Sequence, residues 1–354
     1  MKAPLLLYGA NGYTGRLILD AALAAGVALT IAGRRREVIE PLAAQKGVEF
    51  RVFDFADRSL AARALESSGA LLLAAGPFSR TSSPALQACL ASRTAYLDIT
   101  GEVAVFEALF AKEEDAKRAG IAVLPGAGFD VVPSDCLAAL LSSLLPGATR
   151  LHLAFRGFRP SPGTAKTMLE SMPRGGLVRE NGRLRRVPVA WKTREIPFRD
   201  RARLAMTVPW GDLATAFRST GIPNIETYAA SSPGAIAFAR RFRSLAPLLA
   251  WRPLRALLDR RIGAGVAGPT PEERARERSQ LWGRVEDENG RFVEGRMETL
   301  EGYDFTAESA VACARRVLGG ELSPGVWTPS KAFGPAFAAS LPGTVVEAPS
   351  AMSR

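Results

Sequence analysis

The sequence predicts an α/β protein in which a doubly wound parallel sheet is joined to an α+β second domain with a mainly antiparallel sheet. Short apolar runs alternate with helix-like stretches over the first 125 residues, and a glycine-rich turn follows the first run. After Pro133 the pattern changes to longer, alternating strand candidates. We expect domains at residues 1–130 and 131–305, and a C-terminal helix and tail at 306–354 that return to the first domain.

Each element of the first domain follows from its local pattern. Strands buried on both faces are predicted where short apolar runs end in glycine or polar residues, at 5–8, 28–32, 49–53, 70–75, 95–98 and 121–124. Helices are predicted where apolar residues recur at helical spacing, at 15–25, 37–45, 59–67, 83–91 and 103–119. Ser59 is the expected N-cap of the third helix. Six strands alternating with helices indicate a doubly wound sheet.

The second domain is predicted to begin with a helix at 134–144. Strand candidates follow at 150–158, 204–208, 224–230, 280–286 and 291–298, while residues 184–198 alternate less cleanly. Asn289-Gly290 predicts a hairpin turn between the last two strands. A basic, apolar, helical region is expected at 235–261, and Thr306 is the expected cap of a final helix over 306–318.

Composition excludes several classes of protein. The chain has 354 residues, 47% of them hydrophobic, which is enough for two sizeable cores. We find no uninterrupted apolar run of roughly 18 residues, as a transmembrane helix would need. The three cysteines form no Cys-x-x-Cys pair, so a reducing cytoplasm is the expected location. The single histidine, His152, lies in an apolar-alternating stretch, which argues against a metal centre or a Ser-His-Asp triad.

The net charge is unevenly distributed. Residues 1–125 have a net charge of +1, whereas the rest of the chain contributes +10 of the total of +11. Such an asymmetry favours an acidic substrate, an acidic partner or a membrane surface at the second domain, although solubility alone would also explain it. No nucleic-acid motif is present, and we expect no nucleic-acid partner. A homo-oligomer is compatible with the sequence.

The most informative motif is the glycine turn after the first strand. Its residues are Gly9, Ala10, Asn11, Gly12, Tyr13, Thr14 and Gly15, with G-x-x-G-x-x-G spacing. Glycines at these positions let the backbone turn tightly and approach a pyrophosphate, whose charge then lies at the helix N-terminus. This context predicts a Rossmann-type dinucleotide site in which all of these residues except Ala10 contact the cofactor.

The residues after the second strand predict which dinucleotide is bound. NAD-specific sites usually place an acidic residue there, but this chain has Gly33-Arg34-Arg35-Arg36. Guanidinium groups form forked hydrogen bonds to phosphate, which favours NADP(H), with Arg34 and Arg35 on the 2′-phosphate and Arg36 facing solvent. Asp54 follows the third strand, where it would either meet the adenine or cap a local turn.

Three further loops are expected at the same edge of the sheet. Small residues, carboxylates and a hydroxyl follow strands four, five and six, at Ala75-Gly76-Pro77-Phe78, Asp98–Glu102 and Gly126–Asp130. Ala75, Gly76, Pro77, Phe78, Gly128 and Phe129 are therefore expected to line the nicotinamide half of the site. Each loop could instead only cap the helix that follows it.

These motifs resemble those of the saccharopine dehydrogenase-like oxidoreductases, with the branch of trans-acting enoyl reductases as the nearest. The resemblance rests on Tyr8–Gly15, Ala75–Phe78, Tyr96–Glu102 and Pro125–Asp135, and continues more weakly through Gly163–Lys166 and Pro209–Ala216 to Thr328–Ser330. It implies an NADP-binding Rossmann domain, an inserted α+β domain and reduction of a C=C or C=N bond. The loop Gly128–Pro133 lacks the Asp-Pro-Gly order associated with saccharopine-forming members.

The residues that would supply a proton are less constrained. No Tyr-x-x-x-Lys pair occurs, so the relay of classical short-chain dehydrogenases is absent. Asp130, Asp135, Lys166 and Tyr228 are the candidates for the catalytic group. The hypotheses are an NADPH-dependent enoyl reductase, an imine or ketone reductase for a small polar substrate, and a non-catalytic NADP-binding, lipid-associated protein.

A basic segment provides a candidate surface for a partner. Between Ala235 and Arg261 seven arginines stand against one acidic residue, among several large apolar side chains. Residues Arg240–Arg261 could dock an acyl carrier protein or an anionic membrane surface, which would make the protein peripheral to a membrane. A solvated helix face over the second domain is the simpler explanation.

Overall fold

The computed structural model describes residues 4–157, 161, 163, 175–242 and 268–353. The chain divides into two compact units. The first contains Met1–Val132 and Tyr303–Ala332, and the second contains Pro133–Gly302 and Phe333–Arg354. The segment that we expected to return as a whole to the first domain is thus divided between the two units near Phe333.

The first unit contains a seven-stranded sheet whose paired strands are all parallel. Its strands are β1 Leu5–Tyr8, β2 Leu29–Gly33, β3 Glu49–Val52, β4 Ala70–Leu73, β5 Ala95–Asp98, β6 Ala122–Leu124 and β15 Gly325–Val326. Their order is β15-β6-β5-β4-β1-β2-β3. The doubly wound sheet is therefore confirmed, and β15 is a seventh strand that the local pattern did not predict.

The helices of this unit lie between the strands in sequence. They are α1 Tyr13–Ala24, α2 Arg36–Lys46, α3 Arg58–Leu65, α4 Phe78–Ser92, α5 Val103–Phe110, α6 Glu113–Ala119 and α11 Gly302–Leu318. The central strands β1 and β4 are wholly buried, and α1 buries Ile18, Leu19 and Ala22. Continuous apolar strands therefore form the core, as expected for a parallel sheet covered by helices.

Three local expectations are wrong. Asp57, not Ser59, caps α3, because its carboxylate accepts a hydrogen bond from the Leu60 amide at 2.9 Å. The predicted helix over 103–119 is two helices, and the second one directs Glu113 to the amide of Val326 in β15 at 3.1 Å. Thr306 lies inside α11, which begins four residues earlier, so Thr306 is not the N-cap of this helix.

The second unit contains a ten-stranded, mainly antiparallel sheet, as predicted. Its strands are β7 Arg150–Arg156, β8 Gly176–Glu180, β9 Arg183–Val187, β10 Thr193–Pro197, β11 Ala202–Thr207, β12 Asn224–Ala230, β13 Arg278–Glu286, β14 Arg291–Leu300, β16 Val345–Val346 and β17 Ser350–Ser353. The main path runs β10-β11-β12-β7-β13-β14-β16, and β7 pairs with β12 in the parallel direction. The Asn289-Gly290 hairpin joins β13 to β14, with Gly290 at a φ of +77°.

One face of this sheet is covered by helix α7 Val132–Leu144. A Cβ atom on Gly283 would lie 2.8 Å from Leu141, and one on Gly295 would lie 3.1 Å from the same side chain. These glycines let the helix approach closely. The other helices of the unit are α8 Asp212–Thr220, α9 Pro233–Phe242 and α10 Pro271–Arg276, and α12 Pro329–Phe333 lies at the boundary between the units.

None of the helices in the described ranges is long and apolar enough to cross a bilayer. The described residues also contain no group of three or more His, Cys, Asp or Glu side chains that could hold a metal ion.

Candidate cofactor and proton-donor site

The glycine turn between β1 and α1 leaves no room for a side chain at two of its positions. Gly9 has a φ of +92°, and a Cβ there would lie 2.9 Å from the Cβ of Ala75. A Cβ on Gly15 would lie only 2.1 Å from the carbonyl oxygen of Gly9, so α1 packs directly on the turn. Gly12 donates its amide to that same oxygen at 3.0 Å. The turn therefore requires glycine at positions 9 and 15.

The start of α1 is suited to an anion. Gly12 is the N-cap residue, no side chain caps the helix, and its first turn contains no acidic residue. Asn11, Gly12, Tyr13 and Thr14 are partly or fully exposed at this point. Backbone N–H groups and the helix dipole at such an end attract phosphate. This end of α1 therefore has the features of a helix start that can hold a pyrophosphate.

The arginines after β2 differ in their partners. Arg35 lies 4.0 Å from Glu37, and Arg36 lies 3.5 Å from Glu40 and covers the ring of Phe50. Arg34 is exposed and, within the described residues, has no acidic partner. Arg34 is therefore the guanidinium that is most available to a phosphate.

Tyr8 and Asp54 complete this end of the site. Burial, reinforced by the nearby Asp54 carboxylate and opposed by Arg34, raises the pKa of Tyr8 to about 12. Its hydroxyl donates to the carbonyl of Phe53 at 3.0 Å. Asp54 accepts a hydrogen bond from the Ala56 amide at 2.9 Å, so its carboxylate caps a local turn, the second of the two roles expected for it.

The loop after β4 is held by a residue that the sequence did not single out. Phe78 and Ser79, at the start of α4, donate their amides to the carboxylate of Glu102 at 2.8 and 3.3 Å. Thr81 donates its hydroxyl to the carbonyl of Ala75 at 2.7 Å. Glu102 follows β5, so one side chain fixes the Ala75–Phe78 loop to the next loop along the sheet edge.

Asp98, at the end of β5, ties two further loops together. Its fully buried carboxylate accepts hydrogen bonds from the Tyr96 hydroxyl at 2.6 Å and from the amides of Thr100 and Gly126 at 3.0 and 2.9 Å. Burial raises the pKa of Asp98 to about 6, although these hydrogen bonds oppose the rise. The role of this carboxylate is to hold the loops after β5 and β6.

Asp130, in the loop after β6, has a different environment. It is half-buried, and its Oδ2 atom would lie 2.4 Å from a Cβ on Gly101, so the carboxylate packs against bare backbone. Within the described residues no hydrogen-bond donor or cation pairs with this carboxylate. Burial raises the pKa of Asp130 to about 7. A carboxyl group with such a pKa can hold or release a proton near neutral pH.

Helix α11 positions the loop that carries Asp130. The Thr306 hydroxyl accepts a hydrogen bond from the Phe129 amide at 3.0 Å, and the Ser309 hydroxyl donates to the carbonyl of Ala127 at 2.8 Å. Phe129 itself is 2% exposed and packs edge-on against Phe305, while a Cβ on Gly128 would lie 2.9 Å from Thr306. The Phe129 side chain thus belongs to the core.

The same helix also reaches the glycine turn. The ring of Tyr303 packs edge-to-face on that of Tyr13, with centroids 4.9 Å apart. Tyr303 lies almost 300 residues from Tyr13, and Thr306 lies 177 residues from Phe129. No local sequence signal could therefore have indicated these contacts. α11 therefore supports both the predicted pyrophosphate cradle and the Asp130 loop.

Two of the other proton-donor candidates lie in the second unit and have partners there. Asp135 is buried in α7 and accepts a hydrogen bond from the Ser219 hydroxyl at 2.6 Å. Tyr228, on β12, donates to Glu226, and burial followed by that hydrogen bond raises its pKa well above the ordinary value. Lys166 lies outside the described residues. Of the three candidates in the described residues, Asp130 is thus the one that lies in the first unit, at the carboxyl edge of its sheet.

His152, expected to be structural, lies on β7 beside the same glutamate. Its Nδ1 atom is 3.6 Å from Glu226, and burial lowers the pKa of the imidazole to about 4. The ring is therefore neutral at physiological pH and is held within the sheet of the second unit.

The residues of the first unit fit a bound NADP(H). The glycine turn is a cradle that a Cβ would fill, α1 begins without a side-chain cap or an acidic residue, and Arg34 lacks an acidic partner within the described residues. Gly9–Gly15 would hold the pyrophosphate, and Arg34 would hold the 2′-phosphate. The loops after β4 and β6 lie at the carboxyl edge of the sheet, where the nicotinamide half of such cofactors binds.

Comparison with known proteins agrees with this geometry. Residues 5–124 match the family model described as the saccharopine dehydrogenase NADP binding domain. A saccharopine dehydrogenase-like oxidoreductase from Bos taurus is 26% identical over 151 residues, covering 37% of this chain and 35% of the relative. A trans-acting enoyl reductase from Mycobacterium leprae is 30% identical over 139 residues, covering 37% of this chain and 33% of the relative. The alignments thus span about a third of the length of these curated relatives.

The fold as a whole is also known. The apo saccharopine dehydrogenase (L-Glu forming) from Saccharomyces cerevisiae superimposes with a TM-score of 0.67, covering 99% of this chain and 100% of that one at 14% identity. At that identity the likeness establishes the fold and not the reaction. Residues 5–124 therefore match a saccharopine dehydrogenase NADP binding domain, and the chain is similar over part of its length to proteins named saccharopine dehydrogenase-like oxidoreductase and trans-acting enoyl reductase.

Proposed function

We propose that the protein is an NADPH-dependent reductase that adds a hydride and a proton across the C=C bond of an enoyl or related unsaturated acyl group. The observation that carries the proposal is Asp130, a carboxyl group without a partner in the described residues, at the carboxyl edge of the NADP-binding sheet. The name of the M. leprae relative, a trans-acting enoyl reductase, supports the same bond type.

The chemistry requires one group of the protein to supply a proton. Bound NADPH would provide the hydride for the β-carbon of the acyl group. Asp130, protonated at or below neutral pH, would then give its proton to the α-carbon, leaving the saturated acyl group, NADP⁺ and the Asp130 carboxylate. Thr306 and Ser309 would hold the loop of this acid in place.

A second candidate is reduction of a C=N bond in a small polar substrate. An ionised carboxylate without a cationic partner would also complement a protonated imine. The two candidates differ in the form of Asp130 that is active. A proton donor loses activity as the pH rises through about 7, whereas a carboxylate that binds a cation gains activity over the same interval.

The experiment is a survey of NADPH oxidation with enoyl thioesters, free or attached to an acyl carrier protein, and with keto acids plus amines. An enoyl-dependent rate that falls above about pH 7 supports the proposal. An amine-dependent rate that rises instead would favour the imine, and binding of NADPH without turnover on any substrate would favour a non-catalytic NADP-binding protein.

Replacement of the acid provides the residue-level test. Asp130→Asn should lower the turnover number by about 10²-fold or more, as expected for loss of a general acid, while NADPH affinity stays within about twofold. Asp20→Asn, which changes an exposed carboxylate of α1 paired with Lys46, is the matched control and should retain full turnover. Equal rates for both variants would remove Asp130 from the mechanism.

A further inference from the structure

Helix α9 of the second unit presents two aromatic rings to solvent. Phe238 is 64% exposed and Phe242 is 43% exposed, and their ring centroids lie 4.5 Å apart. Elsewhere in the described part of the chain, the large apolar side chains that are exposed stand alone in the sequence, at Leu60, Leu144, Leu204 and Val345. An exposed apolar pair of this kind marks an interaction surface more often than it serves the fold.

The opposite side of α9 anchors the helix. Ile236 is 4% exposed, and Arg240 donates from Nε to the carbonyl of Ala190 at 3.1 Å. Residues 236 and 240 lie about half a turn away from 238 and 242, so the contact with Ala190 turns the aromatic pair outward. Arg241 is exposed and lies three residues from Phe238, on the neighbouring part of the outward side.

The segment that receives this anchor, from β9 to the start of β10, is strongly basic. Residues 183–194 contain five basic side chains and no acidic one. Arg185 and Lys192 lie over the ring of Trp191, at 4.9 and 4.3 Å from its centroid. Trp191 follows Ala190 directly, so this basic segment contains the residue to which Arg240 anchors α9.

Several of these charges are not neutralised within the protein. Arg185 pairs with Glu180, and Lys192 pairs with Glu226. Within the described residues three exposed guanidinium groups of the two segments have no acidic partner, namely those of Arg183, Arg186 and Arg241, whereas the half-buried Arg194 lies over the ring of the buried Trp282. Exposed cations without an acidic partner, in the segment that anchors a helix with exposed aromatic rings, complement a surface that is both anionic and apolar.

We propose that Phe238, Arg241 and Phe242, together with the basic residues of 183–194, form a peripheral binding surface for an anionic lipid bilayer. Aromatic rings enter the boundary between headgroups and acyl chains, and arginines remain with the phosphates. The rings lie on the exposed side of α9. A protein partner would need a shaped pocket for each ring, whereas a fluid bilayer accepts them without one. This inference is independent of the reaction proposed above.

Vesicle co-sedimentation tests the proposal. The full chain should bind vesicles of phosphatidylcholine mixed with phosphatidylglycerol, bind vesicles of phosphatidylcholine alone weakly, and dissociate as salt is added. Phe238→Ser with Phe242→Ser should lower the partition coefficient at least about tenfold, and Arg186→Ser or Arg241→Ser should each lower it about fivefold. Leu144→Ser, at a 51% exposed position of α7, is the control and should bind as the wild type does.

A urea denaturation curve of every variant separates loss of the surface from loss of the fold, because the substituted residues belong to the second unit. Absence of binding to mixed vesicles, equal binding to both kinds of vesicle, or unchanged binding by the Phe238→Ser, Phe242→Ser variant would each overturn the proposal. Binding of these same residues to an acidic carrier protein, with vesicles ignored, would overturn it in favour of a protein partner.

Discussion

Two aspartates follow neighbouring strands of the same parallel sheet and have opposite environments. Asp98 ends β5 and accepts three hydrogen bonds, from one hydroxyl and two backbone amides. Asp130 follows β6, packs against the backbone of Gly101 and has no partner among the described residues. Burial raises both pKa values, to about 6 for Asp98 and about 7 for Asp130.

The contrast separates a structural carboxylate, Asp98, from Asp130, the carboxyl group that we propose to be reactive. The donors around Asp98 compensate its burial and give the loops after β5 and β6 a fixed position. The burial of Asp130 is uncompensated, so its ionisation costs free energy that the rest of the fold must supply. Groups held in this state are concentrated at functional sites, where a proton has to be held or moved.

The largest expected effect on the free energy of unfolding follows from replacing Asp98, the structural member of the pair. Asp98→Ala leaves the Tyr96 hydroxyl and the amides of Thr100 and Gly126 buried without an acceptor. The free energy of unfolding should fall by about 3–5 kcal/mol, because each unpaired buried donor costs about 1–3 kcal/mol. Urea denaturation measures this loss, and a change below about 1 kcal/mol would show that Asp98 does not hold the loops.

Replacing Asp130 should have the opposite effect and raise the free energy of unfolding at neutral pH. Its pKa is about 7 in the folded protein and about 3.8 when unfolded, so the native state binds more protons between these values. The contribution of Asp130 to stability should therefore decline from about pH 4 to pH 7, and Asp130→Asn removes this contribution. The variant should be more stable than wild type by about 4 kcal/mol above pH 7 and equal to it below about pH 4.

Denaturation curves at a series of pH values provide the measurement, with Asp20→Asn as the control for a change in surface charge. A destabilised Asp130→Asn variant at high pH would mean that the carboxylate has a favourable partner and would erase the distinction between the two aspartates.

A smaller effect is expected at the support of the Asp130 loop. Thr306→Val keeps the shape of the side chain but removes the acceptor for the Phe129 amide, so stability should fall by about 2 kcal/mol. Thr306→Ser keeps the hydroxyl and should recover most of the loss. If Thr306 also positions Asp130, the valine variant alone should move the high-pH limb of the activity profile. Equal profiles would leave Thr306 a purely structural role.

The smallest effect concerns the cofactor end of the same sheet edge. Arg34→Ala should weaken NADPH binding about tenfold, or ~1.4 kcal/mol, and leave NADH binding unchanged. Arg35→Ala should have a smaller effect, because Arg35 lies near Glu37 whereas Arg34 has no acidic partner in the described residues. Fluorescence titration with both nucleotides measures the ratio, and an equal loss for NADPH and NADH would place Arg34 away from the 2′-phosphate.

Much of the first unit could be predicted because its determinants are local. Continuous apolar runs such as Ala70–Leu73 and the glycine turn at Gly9–Gly15 encode strand, turn and helix within a few residues. The two-residue strand β15 could not be predicted, since it exists only by pairing with β6 some 200 residues earlier. The break between α5 and α6 has the same origin, in the contact of Glu113 with β15.

The candidate site also has some features that follow from local sequence and others that depend on long-range contacts. Local motifs predicted the cofactor turn and the arginines, and they gave Asp130 as one of several candidate proton donors. They could not rank Asp130 above Tyr228 or Asp135, because the ranking depends on which carboxylate or hydroxyl has partners in the folded chain. The supporting roles of Glu102 and Thr306 arise from contacts with residues 24 and 177 positions away.

Carboxyl ¹³C NMR of protein labelled at aspartate tests most directly whether the pKa of Asp130 is raised to about 7. We predict one resonance with a midpoint near pH 7 that is absent in Asp130→Asn and unchanged in Asp20→Asn. A spectrum in which the Asp130→Asn variant loses only a resonance titrating near pH 4 would contradict the account, because Asp130 would then be an ordinary, compensated carboxylate.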